Sequence, residues 1–177
     1  MDEDRHPDRV PGRQTRPAYS TTRRTWYGYG HLTRAEKSGF GRYLHDCSYV
    51  FGDVSVFSLP VLFAIVVAPG AGAFDATAAG LLAWATMVAV GAAIRGGWIT
   101  PLATETLGWV SVTPVLLGFR LIYYNCALGL AVFGGVALAD AVGYAPLSLL
   151  VAITVTALAT LAFPRLAQSF YGALRDV

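Results

Sequence analysis

Cysteine, histidine, lysine and charge are all scarce in this chain. The two cysteines, Cys47 and Cys126, make no CxxC spacing, which excludes a disulfide framework, a thiol-redox motif and a zinc ribbon. The three histidines, His6, His31 and His45, all precede the first long apolar run. His45 and Cys47 lie two residues apart and would point to different faces of a helix, so no metal site follows from them. HExxH, GxSxG and P-loop motifs are missing, and with them the usual signs of hydrolytic or nucleotide chemistry. No enzymatic activity, cofactor or metal is therefore expected. Lys37 is the single lysine, and the bias toward arginine, alanine, glycine and valine points to a GC-rich prokaryotic genome. Only 14% of residues are charged, against about 25% in an ordinary soluble domain.

What the chain has instead is apolar length. Its mean hydropathy is +0.51, and the apolar residues fall into four blocks at 49–68, 76–94, 115–138 and 147–163. A membrane-crossing helix takes about 20 such residues. The reading is an all-α integral membrane protein with four transmembrane helices in two hairpins, the region 48–177. Pro69-Gly70, Arg95-Gly96-Gly97, Asp140 and Pro164-Arg165 are the expected stops.

Orientation follows from the basic residues, which resist translocation and collect on the cytoplasmic side. Of 13 in all, those from Arg5 to Arg42 precede the first block, Arg95 and Arg120 bracket the middle connection, and Arg165 and Arg175 follow the last. Both termini are thus expected in the cytoplasm of a cell-membrane protein. The net charge of +2 is spread along this pattern, and nucleic acid is not an expected partner.

Residues 1–32 mix charge and proline with few aliphatics and read as a disordered cytoplasmic tail. Thr22-Arg23-Arg24-Thr25-Trp26 resembles the core of a twin-arginine export signal, but the apolar stretch such a signal needs does not follow. Its arginines are read as topological charge. Thr33-Arg34-Ala35-Glu36 fits a capping box, and Phe40, Tyr43, Leu44 and Cys47 follow at i, i+3, i+4, i+7. That spacing predicts an interfacial amphipathic helix over 33–47. The connection from 95 to 114, with Trp98 and Trp109, is expected to lie along the cytoplasmic interface, with room for a short re-entrant or interfacial helix; otherwise the third span begins near Trp109 and kinks at Pro114.

Small residues let helices approach in lipid. Ladders at i+4 occur in the second span (Ala85, Ala89, Ala93), the third (Ala127, Ala131, Gly135) and the fourth (Ser148, Ala152, Thr156, Thr160). They predict a tight core of spans two to four, with the bulkier first span, kinked at Pro60, at its edge. Asp53 and Arg120 are the only charges within spans, each about five residues or ~7 Å past the start. Matched depth admits an intramembrane ion pair; otherwise each charge snorkels separately to the headgroups.

The leading functional expectation is a non-enzymatic membrane-complex component or accessory protein, held in the lipid bilayer and associating with a membrane-protein partner or as a homo-oligomer. A small-solute or ion transporter acting as an oligomer stands second. A lipid-modifying enzyme at the interface stands third.

Overall fold

The computed structural model describes residues 12–14, 16–26, 32–68, 74–104, 109–111 and 114–175. It begins with β1 (Gly12–Gln14), α1 (Arg16–Tyr19), β2 (Thr22–Trp26) and β3 (Leu32–Glu36). The helical body follows: α2 (Gly39–Phe57), α3 (Leu59–Val67), α4 (Ala76–Arg95), α5 (Pro114–Gly129), a π-helical turn (Leu130–Gly134), α6 (Gly135–Val142) and α7 (Leu147–Arg175). One further strand, β4 (Trp109–Ser111), sits between α4 and α5.

The chain is mostly helical. Three helical segments, α4, Pro114–Val142 and α7, are long and apolar enough to cross a membrane, and α2 and α3 pass that test only as a pair, bent by 73°, for a total of three or four candidate spans. Contacts between them set their directions. Tyr43 Oη donates to the Ala89 carbonyl at 3.2 Å and Trp84 Nε1 to Ser55 Oγ at 3.2 Å, so α4 runs back along α2. Tyr123 Oη donates to the Ala159 carbonyl at 2.9 Å, and a Cβ on Gly135 would lie 3.1 Å from the Ser148 carbonyl. Hence α7 runs back along α5 and α6. Ser148 Oγ donates to the Phe74 carbonyl at 3.1 Å, which ties the start of α7 to the start of α4.

Met87, Leu116, Leu128, Ala83 and Ala152 are fully buried where α4, α5 and α7 meet. Outward, the helices expose large apolar side chains: Phe63 and Val66 on α3, Leu81 on α4, Ile122 on α5 and Leu158 on α7 are all more than half exposed.

The N-terminal region departs from the sequence reading. Residues 12–14 and 16–26 carry secondary structure where a disordered tail is expected: β1 pairs antiparallel with β4, Arg13 opposite Val110. β2 pairs antiparallel with β3, Arg24 opposite Arg34. The composition argument weighs apolar burial alone, and here backbone ladders and a buried ion pair do the ordering. Residues 1–11, 15 and 27–31 lie outside the described residues.

The interfacial helix over 33–47 is likewise corrected. Thr33–Glu36 belongs to β3, and the cap is Ser38, whose Oγ accepts from the Gly41 N–H at 3.2 Å. The helix then runs unbroken to Phe57. Phe40 and Leu44 of the expected apolar stripe are exposed, while Asp46, a charged residue outside that stripe, is buried. The described part of the 95–114 connection holds no interfacial helix, and the third span starts at Pro114, where a missing N–H costs nothing. Glu105 and Leu107 lie outside the described residues, as do 69–73 between α3 and α4. The fourth span does not close at Pro164, which lies inside α7. Ala167 beyond it is fully buried and Tyr171 packs on the core, so tertiary contact carries the helix past the lost bond.

The block expected as the first span is two helices rather than one. Pro60 has no N–H for the Val56 carbonyl and its ring crowds the preceding turn, and the chain turns at Ser58. A continuous helix would join the Val61 N–H to the Phe57 carbonyl. The Asn125 side chain takes both places: its Oδ1 accepts from Val61 N at 2.9 Å and its Nδ2 donates to Phe57 O at 2.7 Å. One amide from α5 thus completes the ladder across the break.

Replacing Asn125 by alanine orphans a donor and an acceptor, each costing about 1–3 kcal/mol when buried. Asn125→Ala is expected to lower the unfolding free energy by about 2–4 kcal/mol in a mixed-micelle titration. Asn125→Asp should be no better, since a carboxylate oxygen would face the Phe57 carbonyl. A loss below about 0.5 kcal/mol for Asn125→Ala would show that the bridge is dispensable.

Candidate functional site

Asp46, Tyr49 and Asp53 recur along α2 at i, i+3 and i+7, and one helix face therefore carries two carboxylates. Opposite them stand Arg95, the last residue of α4, where a cation suits the negative end of the helix, and Arg120, six residues into α5. The two carboxylates find different partners and different degrees of burial.

Asp46 is fully buried, and so is nearly all of Arg23 at 3% exposure. Arg23 Nε donates to Asp46 Oδ1 at 3.0 Å and Nη2 to Oδ2 at 2.7 Å, a bidentate fork. The other three N–H groups donate to the carbonyls of Ser20 (2.7 Å), Thr22 (3.0 Å) and Pro17 (3.1 Å). All five guanidinium donors are satisfied, the condition for a charge to be buried at tolerable cost. Arg95 adds a longer contact, Nε to Oδ1 at 3.4 Å, and lies over the Tyr49 ring at 4.7 Å. Gly97, at φ +73°, follows α4 directly, and a Cβ there would lie 2.9 Å from the Ala18 carbonyl. Only glycine lets the segment that carries Arg23 come this close.

Farther along α2, the structure brings Asp53 and Arg120 together, Nη1 to Oδ1 at 2.7 Å. Arg120 lies between the rings of Phe57 and Phe163, at 5.6 and 5.5 Å. Its side chain is 6% exposed and that of Asp53 is 32% exposed. Asp53 opens into a cavity of about 180 Å³ lined by residues of four helices, among them Tyr49, Arg95, Arg120, Tyr124, Thr160 and Pro164. At about 30 Å³ per water molecule, it has room for a few waters or a small ion. Pro164 supplies no N–H to the Thr160 carbonyl one turn back, so α7 is locally under-bonded where it meets the cavity. The site can hold charge in a solvated pocket; among the described residues no nucleophile stands against a general base.

The small-residue ladders fall unevenly. Ala127, Ala131 and Gly135 are buried on the third span, as are Ser148, Ala152, Thr156 and Thr160 on the fourth, and these two faces meet at Gly135 and Ser148. The second ladder is a correction: Ala85 is exposed and Ala89 and Ala93 only half-buried. The buried stripe of α4 runs through Ala76, Ala79, Ala83 and Met87, two positions off the ladder, and both α2 and α7 pack on this helix. Asp46, Arg23 and Arg95 were not legible as a site. Their signal, an aspartate two turns before Asp53 on the same helix face, is visible only once α2 is taken as continuous. Among the described residues no three His, Cys, Asp or Glu side chains converge as metal ligands; the His45 ring lies 5.2 Å from that of Tyr49 and is tilted against it by 56°.

Removing one partner of a fully buried ion pair leaves an uncompensated charge, at about 3–5 kcal/mol. Arg23→Ala and Asp46→Ala are each expected to lose about that much. The double variant should lose clearly less than the two together, as a double-mutant cycle reads it. Asp53→Asn should cost less than Asp46→Asn, because its carboxylate retains water. Strict additivity of Arg23→Ala and Asp46→Ala would sink the buried clamp.

No curated protein and no solved structure matches the sequence. A family match spans residues 37–170, from just before α2 into α7, and takes in Asp46, Asp53, Arg95 and Arg120 but not Arg23. With more than half of its length so matched, the chain belongs to the family described as Domain of unknown function (DUF8215).

Proposed function

We propose that this chain is an integral protein of the cell membrane that crosses the bilayer four times with both termini in the cytoplasm. The bent pair α2–α3 serves as the first span. In this reading it acts without catalysis, as a component of a membrane complex, packing against a partner protein or further copies of itself. The carrying observation is the separation of charge from apolar surface. The described ion pairs, Arg23–Asp46, Arg95–Asp46 and Arg120–Asp53, gather toward one end of the bundle, and large apolar side chains stand exposed on every long helix. A soluble chain rarely exposes contiguous apolar patches of that extent, whereas lipid solvates them. The basic residues sit at the charged end, which the positive-inside tendency places in the cytoplasm.

One observation favours transport as a second reading. Broken helices beside a cavity with an ionisable pair are the usual construction of solute sites in membranes, and here the α2–α3 break stands next to Asp53 and Arg120. In proteoliposomes, an ion or solute flux abolished by Asp53→Asn would support transport. Vesicles that stay tight around an oligomer of the unmodified chain would leave the first reading.

The topology is testable in a background with Cys47 and Cys126 changed to serine. Cysteines at Ala73 and Ala145 are expected to react with an impermeant maleimide from outside intact cells, and those at Thr33 and Ala173 only after lysis. The inverse pattern, or reaction at one of each pair, would overturn the four-span orientation.

A further inference from the structure

A cleft of about 640 Å³ opens beside the buried clamp, between β2, β3 and the facing ends of α2 and α4. Arg24, Arg34 and Arg95 line it, with His45, and Arg23 forms part of its wall. Hydroxyls complete the lining: Ser20 Oγ and Thr22 Oγ1 lie 2.9 Å apart at its margin. No carboxylate side chain lines the cleft among the described residues. Asp46, the nearest, is buried beneath it and engaged by Arg23 and Arg95.

The register of the strand pair gives a second, independent sign. Arg24 stands directly opposite Arg34 in the β2–β3 ladder. Like charges facing each other across two strands destabilise a ladder, and a two-stranded ribbon has little stability to spare. Glu36 shares that ladder, but it is exposed and makes no ion pair among the described residues. The strands nevertheless pair over Thr22–Trp26 and Leu32–Glu36. An anion seated between the two guanidinium groups would turn the repulsion into a bridge.

We propose that this cleft binds a phosphate-bearing anion held by Arg24 and Arg34. Guanidinium forks match phosphate oxygens with paired, charge-assisted hydrogen bonds, and the serine and threonine hydroxyls and His45 supply further polar contacts. The volume admits a phosphate with a glycerol-sized substituent. Two sources share this chemistry, the headgroup of an acidic phospholipid and a soluble phosphate compound. The lipid source rests on the membrane reading above; the phosphate chemistry does not.

The test uses the full chain in phosphatidylcholine nanodiscs, with thermal unfolding followed by tryptophan fluorescence. One arm adds inorganic phosphate against a chloride control of equal ionic strength; the other replaces part of the lipid by phosphatidylglycerol in phosphate-free buffer. Either anion is expected to raise the unfolding midpoint of the unmodified protein. Without anion, Arg34→Gln should itself raise the midpoint by relieving the opposed charges, and it should weaken the anion response about tenfold, the loss of one charge-assisted contact. That opposition of signs is one a merely structural arginine would not produce. Arg34→Lys, which keeps the charge but not the fork, should fall between. A response to phosphate alone assigns a soluble compound, and a response to phosphatidylglycerol, alone or with phosphate, assigns the headgroup. No response in either arm, or one that Arg24→Gln/Arg34→Gln retains in full, overturns the proposal. Since the phosphate arm reads the same whichever way the chain is inserted, failure here and failure of the topology are told apart.

Discussion

A carboxylate with no exposure at all, Asp46, dictates how the described segments before α2 are arranged. An isolated buried charge is too costly to keep, so α2 can carry Asp46 inward only if a cation arrives with it. Arg23 arrives from a segment with little apolar surface of its own. It brings along β2, the turn from Pro17 to Ser20 whose carbonyls it caps, and through the ladder β3. The clamp therefore orders a region that apolar burial would leave loose. Arg95 ties the same carboxylate to the end of α4, so one side chain joins the strand pair to two of the long helices.

Seven residues farther along α2, the same face carries Asp53, and the chemistry changes because the surroundings do. Asp53 keeps access to a cavity, and Arg120 reaches it from α5 between two aromatic rings. The α2–α3 break lies just beyond and is held in shape by Asn125, one turn past Arg120 on the same helix. Ion pair and amide bridge thus both dock α5 on the broken pair α2–α3. A buried clamp confers order, whereas a half-solvated pair beside a broken helix leaves room for an occupant, and this contrast places the candidate site at Asp53 rather than Asp46.

The same economy of polar contacts runs through the bundle. Ser148, Thr156 and Thr160 turn their hydroxyls to carbonyls of their own helix or of Phe74 and present small, satisfied faces to their neighbours. Close backbone approach rather than side-chain interlocking brings α6 and α7 together, as expected where lipid offers no hydrophobic drive to association. Toward one end, arginines outnumber the carboxylates that face them. It is there that a cationic cleft stands open to an anionic ligand.

The sequence by itself determined the helices after residue 75, because a run of about 20 apolar residues leaves a backbone few alternatives, and it marked the third and fourth packing faces, because small residues at i+4 fall on one side of a helix whatever its neighbours. It also matched Asp53 and Arg120 in depth, while leaving pairing and separate snorkelling both open. Tertiary structure decided what depends on partners distant in the chain. Thr33–Glu36 has the local pattern of a helix start and became a strand, since β2 offered it a ladder. Pro60 announced a kink, but the size of the bend rests on an amide 65 residues away, at Asn125. Ala85 lost its place on the packing face once both α2 and α7 settled on α4. Asp46 looked like a solvated charge because nothing local tells of Arg23, and a charge is buried or exposed according to what meets it in space.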